Sequence, residues 1–442
     1  MRTSAAAAEG GEWLIVLVLL LLIVLGRMKT PNSERRTPKA GVISELFAPC
    51  LARSLAPATR SQMSDQPSAL AESLHSRIAE HGPMTFRDFM EAALYDPVHG
   101  YYTSGRAAIG RKGDFFTNVS VGPLFGKLLT RQFAEMWRSL GSPESWVLIE
   151  QGAHGGDFAA DVLGELQESE PECFRCVGYR IVEPAGELRR RQAERLNKWE
   201  GKVAWSSEVD AMEPAVGVHF SNELFDALPV HRVALREHGW VERYVAAAGT
   251  GLEFIDGLLS TPRLMERLSE LVAPVDYETE VNLAAVELVA SIVSKITRGY
   301  LLAIDYGFPR DEYYRCERTA GTLTGYAAHR RQEDLLAAPG EIDLTAHVDF
   351  TSLAKAAECA GWELCGYTDQ HHLMVGLGSL YFSDEVTLTP EHERELRAFK
   401  TLMHPDFMGR SFKALCLGKG IAEAKPLTGF QYARDSRKAL GL

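Results

Sequence analysis

The stretch that constrains this chain most is the apolar run Trp146-Val147-Leu148-Ile149. It passes directly into Glu150-Gln151-Gly152-Ala153-His154-Gly155-Gly156-Asp157 and then into helically spaced residues up to about 167. The order is strand, glycine loop, helix. Further along, Tyr179-Arg180-Ile181-Val182 reads as a second strand closing on Glu183-Pro184, with a charged helix after it. Strands joined through a crossover helix run parallel. Ligands of open α/β sheets bind outside the carboxyl ends of such strands, where both the glycine loop and Glu183 fall. Gly152, Gly155 and Gly156 allow the backbone to turn tightly and approach a ligand. Glu183 stands where a carboxylate can accept both ribose hydroxyls. The pair points to a nucleoside cofactor without choosing among them, and glycines after a strand also serve packing alone.

The alternation continues. Val203-Ala204-Trp205, Gly217-Val218-His219-Phe220 and Tyr300-Leu301-Leu302-Ala303-Ile304 read as further strands, followed by strands near 363–367 and 411–417. An excursion at about 231–299 interrupts them. Its first part, 231–255, alternates like a hairpin, and 263–297 has helical spacing, so a substrate-binding cap is expected there. Amphipathic stretches at 70–81 and from Met84-Thr85-Phe86 to Tyr95 predict N-terminal helices covering the cofactor domain. The expected fold is α/β, a mostly parallel sheet with helical N-terminal elements and an inserted cap. With 46% hydrophobic and 24% charged residues, the chain can bury the core such a sheet requires.

Residues 1–66 do not share this pattern and are expected to be an extension: disordered, a targeting segment, or sequence upstream of the true start. The apolar run at 13–25 is shorter than the roughly 20 residues a spanning helix needs. Membrane association therefore hinges on that run acting as an anchor, which its length disfavours. A bacterial chain starting near Met63 would be cytoplasmic, and a eukaryotic chain is expected to be mitochondrial. Residues 67–442 are expected to form one α/β domain that carries the insertion.

The fourth strand ends in Ser221-Asn222-Glu223-Leu224-Phe225-Asp226-Ala227-Leu228-Pro229. This places an amide and two carboxylates at the ligand edge, where carboxylates could hold a planar guanidinium by paired hydrogen bonds. The alternative is that Asn222 and Asp226 cap a following helix. Asp305, in Asp305-Tyr306-Gly307, would either orient a substrate or hold the turn at Tyr306. His347 is a pocket base or a structural histidine, and Asp349 an N-cap. His371 and His372 share no metal spacing with it, and Cys173 and Cys176 lack a second ligand pair, so no metal is expected. The net charge of −12 with no basic stripe disfavours nucleic acid. It suits a cationic partner, or solubility alone.

Taken in order, the blocks Tyr95-Asp96-Pro97 through Tyr102, Gly113-Asp114-Phe115, Asn222-Glu223 through Pro229, Ile304-Asp305-Tyr306-Gly307, Gly321-Thr322-Leu323 and Asp343 through Phe350 resemble the MidA family. Its members are S-adenosylmethionine (SAM) dependent methyltransferases related to the mitochondrial protein arginine methyltransferase that assists respiratory complex I assembly. The resemblance covers roughly 68–420. It implies a seven-stranded class I (Rossmann-like) sheet, SAM as cofactor, and arginine of a partner protein, such as a respiratory complex subunit, as acceptor. On this reading Glu150, Gly152, Gly155, Gly156, Glu183, Gly113, Thr117 and Asn222 bind cofactor, and Glu223, Asp226 and Asn222 serve catalysis. Where the family has Glu-Leu-Gly-Pro-Gly-x-Gly, this chain places His154 at the middle glycine, which bears on cofactor affinity. The stretch after Leu380 also diverges. Two further readings are a SAM-binding assembly factor with little catalysis and an NAD(P)-dependent oxidoreductase. Oligomeric state has no signature here.

Overall fold

The computed structural model describes residues 68–104, 117–327, 330–382, 389–421 and 426–442. These all belong to the unit Gln66–Leu442. The expected sheet is present, with strands β1 (Trp146–Gln151), β2 (Val177–Val182), β3 (Val203–Ser206), β4 (Ala215–Asn222), β5 (Ile296–Phe308), β6 (Glu363–Asp369) and β7 (Phe412–Lys419). Their spatial order is β6-β7-β5-β4-β1-β2-β3, with the short Val348–Asp349 strand beside the end of β5. From β5 to β3 all neighbours are parallel. β7 runs antiparallel to both its neighbours.

Successive side chains of a strand point to opposite faces, so a sheet covered on both sides must be apolar at consecutive positions. β5 shows why. Tyr300, Leu302 and Ile304 enter one core with helices Leu124–Ser139, Asp157–Ser169 and Gln370–Tyr381. Leu301 and Ala303 enter the other, with helices Leu283–Lys295 and Phe350–Cys359. The layers are helix, sheet, helix.

The excursion departs from its expected form in two ways. The segment 263–297 is not one helical stretch. Helix Pro262–Leu268 ends before Pro274 and Asp276, the latter at φ +66°, and strand Glu278–Val281 follows before helix Leu283–Lys295. That strand is claimed by pairing with His231–Arg236, a tertiary contact that local periodicity does not carry. β5 then starts at Ile296, inside the span assigned to the insertion. Second, the single expected hairpin is three strands, His231–Arg236, Gly239–Ala248 and Gly251–Gly257, which Met84–Thr85 joins from the N-terminus.

The N-terminal helices Ala69–His81 and Phe86–Tyr95 do not cover the cofactor sheet. Leu70, Leu74, Phe86, Phe89 and Met90 share a core with Val230 and Val245 of the insertion region and with Leu323, Ile342 and Leu344. Their apolar faces meet a second sheet that the sequence had not marked as needing cover. Among the described residues no helix is long and apolar enough to cross a membrane. The apolar run at 13–25 lies outside the described residues.

Strand order reverses direction between β1 and β4, which leaves a crevice at their carboxyl ends. The glycine loop leaves one side of that crevice and Asn222-Glu223 the other.

Candidate active site

Gly152 and Gly156 take φ +82° and +81°, the left-handed region in which a Cβ is strained. Gly155 does not. The middle left-handed position is held by His154 at φ +44°, so the residue departing from the family pattern carries the conformation a glycine would adopt freely. The loop is braced from behind. Gln192, fully buried on helix Gly186–Arg195, donates from Nε2 to the His154 carbonyl at 2.8 Å and to Glu183 Oε2 at 3.1 Å. Its Oε1 accepts from Trp205 Nε1 at 2.9 Å. Glu183 Oε1 accepts from the Ala185 backbone N–H at 2.9 Å. Burial pushes the Glu183 carboxyl up, while the Ala185 and Gln192 donors oppose that shift.

At the end of β4 no helix follows, which removes the reading of Asn222 and Asp226 as caps. The chain instead makes a tight turn. Glu223 sits at φ +54°, with its N–H donating to the Ile304 carbonyl at 3.0 Å. Asp305 organises that turn: Oδ2 accepts from the N–H groups of Leu224 (3.1 Å), Phe225 (2.8 Å) and Asp226 (3.4 Å), and Oδ1 from Tyr306 (2.8 Å). Of its two sequence readings, the backbone-holding one matches these partners. A non-glycine residue in the left-handed region persists only where its surroundings over-determine it, and Asp305 supplies that.

Two cavities meet here. The first, about 330 Å³, is lined by Thr117, Ser120, Glu150, Gly152, Ala153, His154, Gly155, Asn222 and Glu223, among others. The second, about 340 Å³, is lined by Tyr101, Tyr102, Thr117, Glu223, Asp226, Tyr306, Tyr326, Asp343 and His347, among others. Thr117 and Glu223 belong to both. Each volume falls within the range of small-ligand sites, roughly 300–1,000 Å³, and His154 does not fill the first.

The second cavity is acidic. Burial, with the Asp226 charge next, pushes the Glu223 carboxyl up to about 8. Burial and the Asp305 and Asp343 charges push Asp226 well above the usual carboxylate range, and its Oδ1 is buried without a partner among the described residues. Asp343 accepts from the Tyr102 hydroxyl at 2.7 Å. Among the described residues no Lys or Arg lines it. Burial pushes the Asp305 carboxyl up to about 7 and, in the first cavity, the Glu150 carboxyl to about 7, although Glu150 accepts from the Tyr179 hydroxyl at 2.6 Å. Burial, then the Arg318 charge, lowers His347 to about 4, so the ring is neutral near pH 7.

The fold therefore brings together Glu150, Gly152, Gly155, Thr117, Asn222, Glu223 and Asp226. Gly156 starts the helix behind the loop, Glu183 stands at the end of β2 without lining either cavity, and Gly113 lies outside the described residues. Sequence reasoning passed over Gln192, which nothing marks in a helix of charges. It did not single out Tyr102 or Asp343, although both stood in blocks already conspicuous. Among the described residues no group of three or more His, Cys, Asp or Glu is placed to hold a metal ion.

A family model described as "Putative S-adenosyl-L-methionine-dependent methyltransferase" matches residues 128–368. The crystal structure of a COG1565 superfamily member from Burkholderia thailandensis, bound to S-adenosyl-homocysteine, is 33% identical and superposes with a TM-score of 0.76, covering 84% of this chain and 96% of that one. The chain belongs to the MidA family of SAM-dependent methyltransferases. This MidA-family enzyme is also similar to two curated animal proteins. It is 28% identical to the protein arginine methyltransferase NDUFAF7 homolog, mitochondrial, of Drosophila melanogaster, over 82% of this chain and 88% of that one. It is 26% identical to protein arginine methyltransferase NDUFAF7, mitochondrial, of Homo sapiens, over 82% and 85%. SAM is thus its cofactor.

Proposed function

We propose that this methyltransferase modifies the guanidinium of an arginine side chain on a partner protein. The observation that carries this is the second cavity, where the carboxyls of Glu223, Asp226 and Asp343 line one space and, among the described residues, no Lys or Arg lines it with them. Carboxyls buried together are pushed up by burial and by one another's charge, and an entering cation opposes both. A guanidinium fits because its planar fork meets carboxylate oxygens in pairs, and the tyrosine rings offer faces to its flat side. The names of the animal relatives support the same acceptor.

In this reading the first cavity takes SAM, with the backbone at 152–156 against its amino-acid end, Glu183 toward the ribose, and Glu150, Thr117 and Asn222 around it. When bound, SAM supplies an electrophilic methyl carbon on a sulfonium sulfur. Glu223, on the wall between the cavities, accepts the proton that a guanidinium with a pKa above roughly 12 must lose as it becomes a nucleophile. Asp226 and Asp343 hold the remaining N–H groups. The resemblance extends the proposal to a respiratory complex subunit as partner and, in a eukaryotic host, to mitochondria.

Incubation with methyl-labelled SAM and a peptide bearing one arginine should give labelled ω-methylarginine, and the lysine version of that peptide no label. Label on lysine, or none from protein shown by calorimetry to bind SAM, would overturn the reading. Separately, Glu183→Ala should weaken SAM binding about 10- to 100-fold, since it deletes a charged acceptor worth about 1.5–3 kcal/mol. Unchanged affinity in the titration would take Glu183 out of the site.

A further inference from the structure

A line of three side-chain amides runs to Glu223, and the proposed chemistry uses only the last of them, Asn222. Gln370, fully buried, is the first residue of helix Gln370–Tyr381. Its Nε2 donates to the Leu402 carbonyl at 3.0 Å and to Asn118 Oδ1 at 2.8 Å. Asn118, also fully buried, donates from Nδ2 to Asn222 Oδ1 at 2.8 Å. Asn222 donates from Nδ2 to Glu223 Oε1 at 2.8 Å.

An amide seen as a shape has two orientations, and only its partners decide between them. Here one partner decides all three. The Leu402 carbonyl can only accept, so Gln370 must turn its nitrogen toward it. That nitrogen meets the Asn118 oxygen, which leaves the Asn118 nitrogen for the Asn222 oxygen and the Asn222 nitrogen for the Glu223 carboxylate. Reversing the first link would reverse every link and set an amide oxygen against the carboxylate.

We propose that Gln370 and Asn118 are positioning residues, which fix the orientation of the Asn222 amide so that a hydrogen-bond donor always faces Glu223. The proposal rests on the reading of Glu223 as proton acceptor. It gives the C-terminal helices Gln370–Tyr381 and Pro390–Met403, which contribute no atom to either cavity, a role in the reaction. The direction is set by a backbone carbonyl that no side-chain substitution removes, and aligned amides reinforce one another's polarity. Titratable groups that share the cavities with Glu223 are Glu150, His154 and Asp157 in the first and Asp226, Asp343, His347 and Tyr101, Tyr102, Tyr306 and Tyr326 in the second, with Asp305 behind the turn. The variants below leave all of them in place.

Gln370→Glu carries the test. A buried carboxyl at 370 keeps its proton and donates it to the Leu402 carbonyl, so its oxygen accepts from the Asn118 nitrogen, which turns Asn222 around and presents Oδ1 to Glu223. Its charged form is then disfavoured, so the acid limb of the pH–rate profile should move up by about one unit. The rate near pH 7 should fall about 10-fold, with SAM affinity unchanged within about 2-fold. Asn118→Leu severs the line without adding charge and must move the limb the same way. On a Glu223→Gln background Gln370→Glu should have no further effect, because a carboxamide at 223 accommodates either polarity. If Glu223→Gln keeps full activity and an unmoved limb, the reading of Glu223 itself falls. If Glu223→Gln is impaired but Gln370→Glu and Asn118→Leu leave the limb in place, or Gln370→Glu lowers the rate equally on both backgrounds, the positioning role is overturned while Glu223 stands.

Discussion

Replacing Glu223 by glutamine should lower kcat by about 10²–10⁴-fold while SAM still binds. The carboxamide keeps the side chain's size and its hydrogen bond to Asn222, and removes the ability to take a proton. With that carboxyl pushed up to about 8 by burial and the Asp226 charge, Glu223 is mostly protonated near pH 7 before the acceptor arrives. The rate constant at low acceptor concentration should therefore climb with pH through a limb near 8. Under saturation the limb should lie lower, because a bound guanidinium favours the ionised carboxyl. Single-turnover rates across this range check both statements. A glutamine variant with wild-type rates, or a profile flat from pH 6 to 9, would assign the proton to another group.

The second large effect has opposite signs in binding and in folding. Asp226→Asn should raise the KM for an arginine peptide about 10²-fold, since removing one charge of a buried pair costs about 2–5 kcal/mol. The same change should stabilise the protein free of acceptor by about 1–3 kcal/mol at pH 8. A carboxyl whose folded pKa is raised binds its proton in the folded state at pH values where the unfolded chain has released it. Stability is then fully present below the unfolded value near 4, and is lost as pH rises toward the folded one. Asp226 is raised well above the usual range, and Glu223, Asp305 and Glu150 shift the same way. Wild-type melting temperature should fall between pH 5 and 8, and the asparagine variant should show a shallower decline. A variant that melts lower than wild type at pH 8 would mean Asp226 already has a stabilising partner.

The central sheet was legible because a parallel sheet covered on both faces writes itself as consecutive apolar residues, as in 300–304, bounded by glycines and acids. Candidate site positions could be placed at strand ends because Asn222, Glu223 and the glycine loop follow directly from where β4 and β1 stop. What stayed hidden depends on partners distant in sequence. Strand Glu278–Val281 has helical neighbours on both sides and becomes a strand only by pairing with His231–Arg236. Asp305 resembled a site residue, and its role is decided by three N–H groups some eighty positions earlier. Gln192, Asn118 and Gln370 are single buried amides with no periodicity, and they gain meaning only from the carbonyls and carboxylates they touch.

Met84–Thr85 joins the insertion sheet, and the N-terminal helices share a core with the insertion and with Leu323, Ile342 and Leu344. The lobe that borders the acidic cavity is therefore assembled from three stretches of chain that translation delivers far apart. Tyr102 arrives early, Asp226 midway and Asp343 late. Synthesis therefore delivers the glycine loop at 152–156 before Asp226 and well before Asp343, so the acidic cavity is complete only once the last of these stretches has been added.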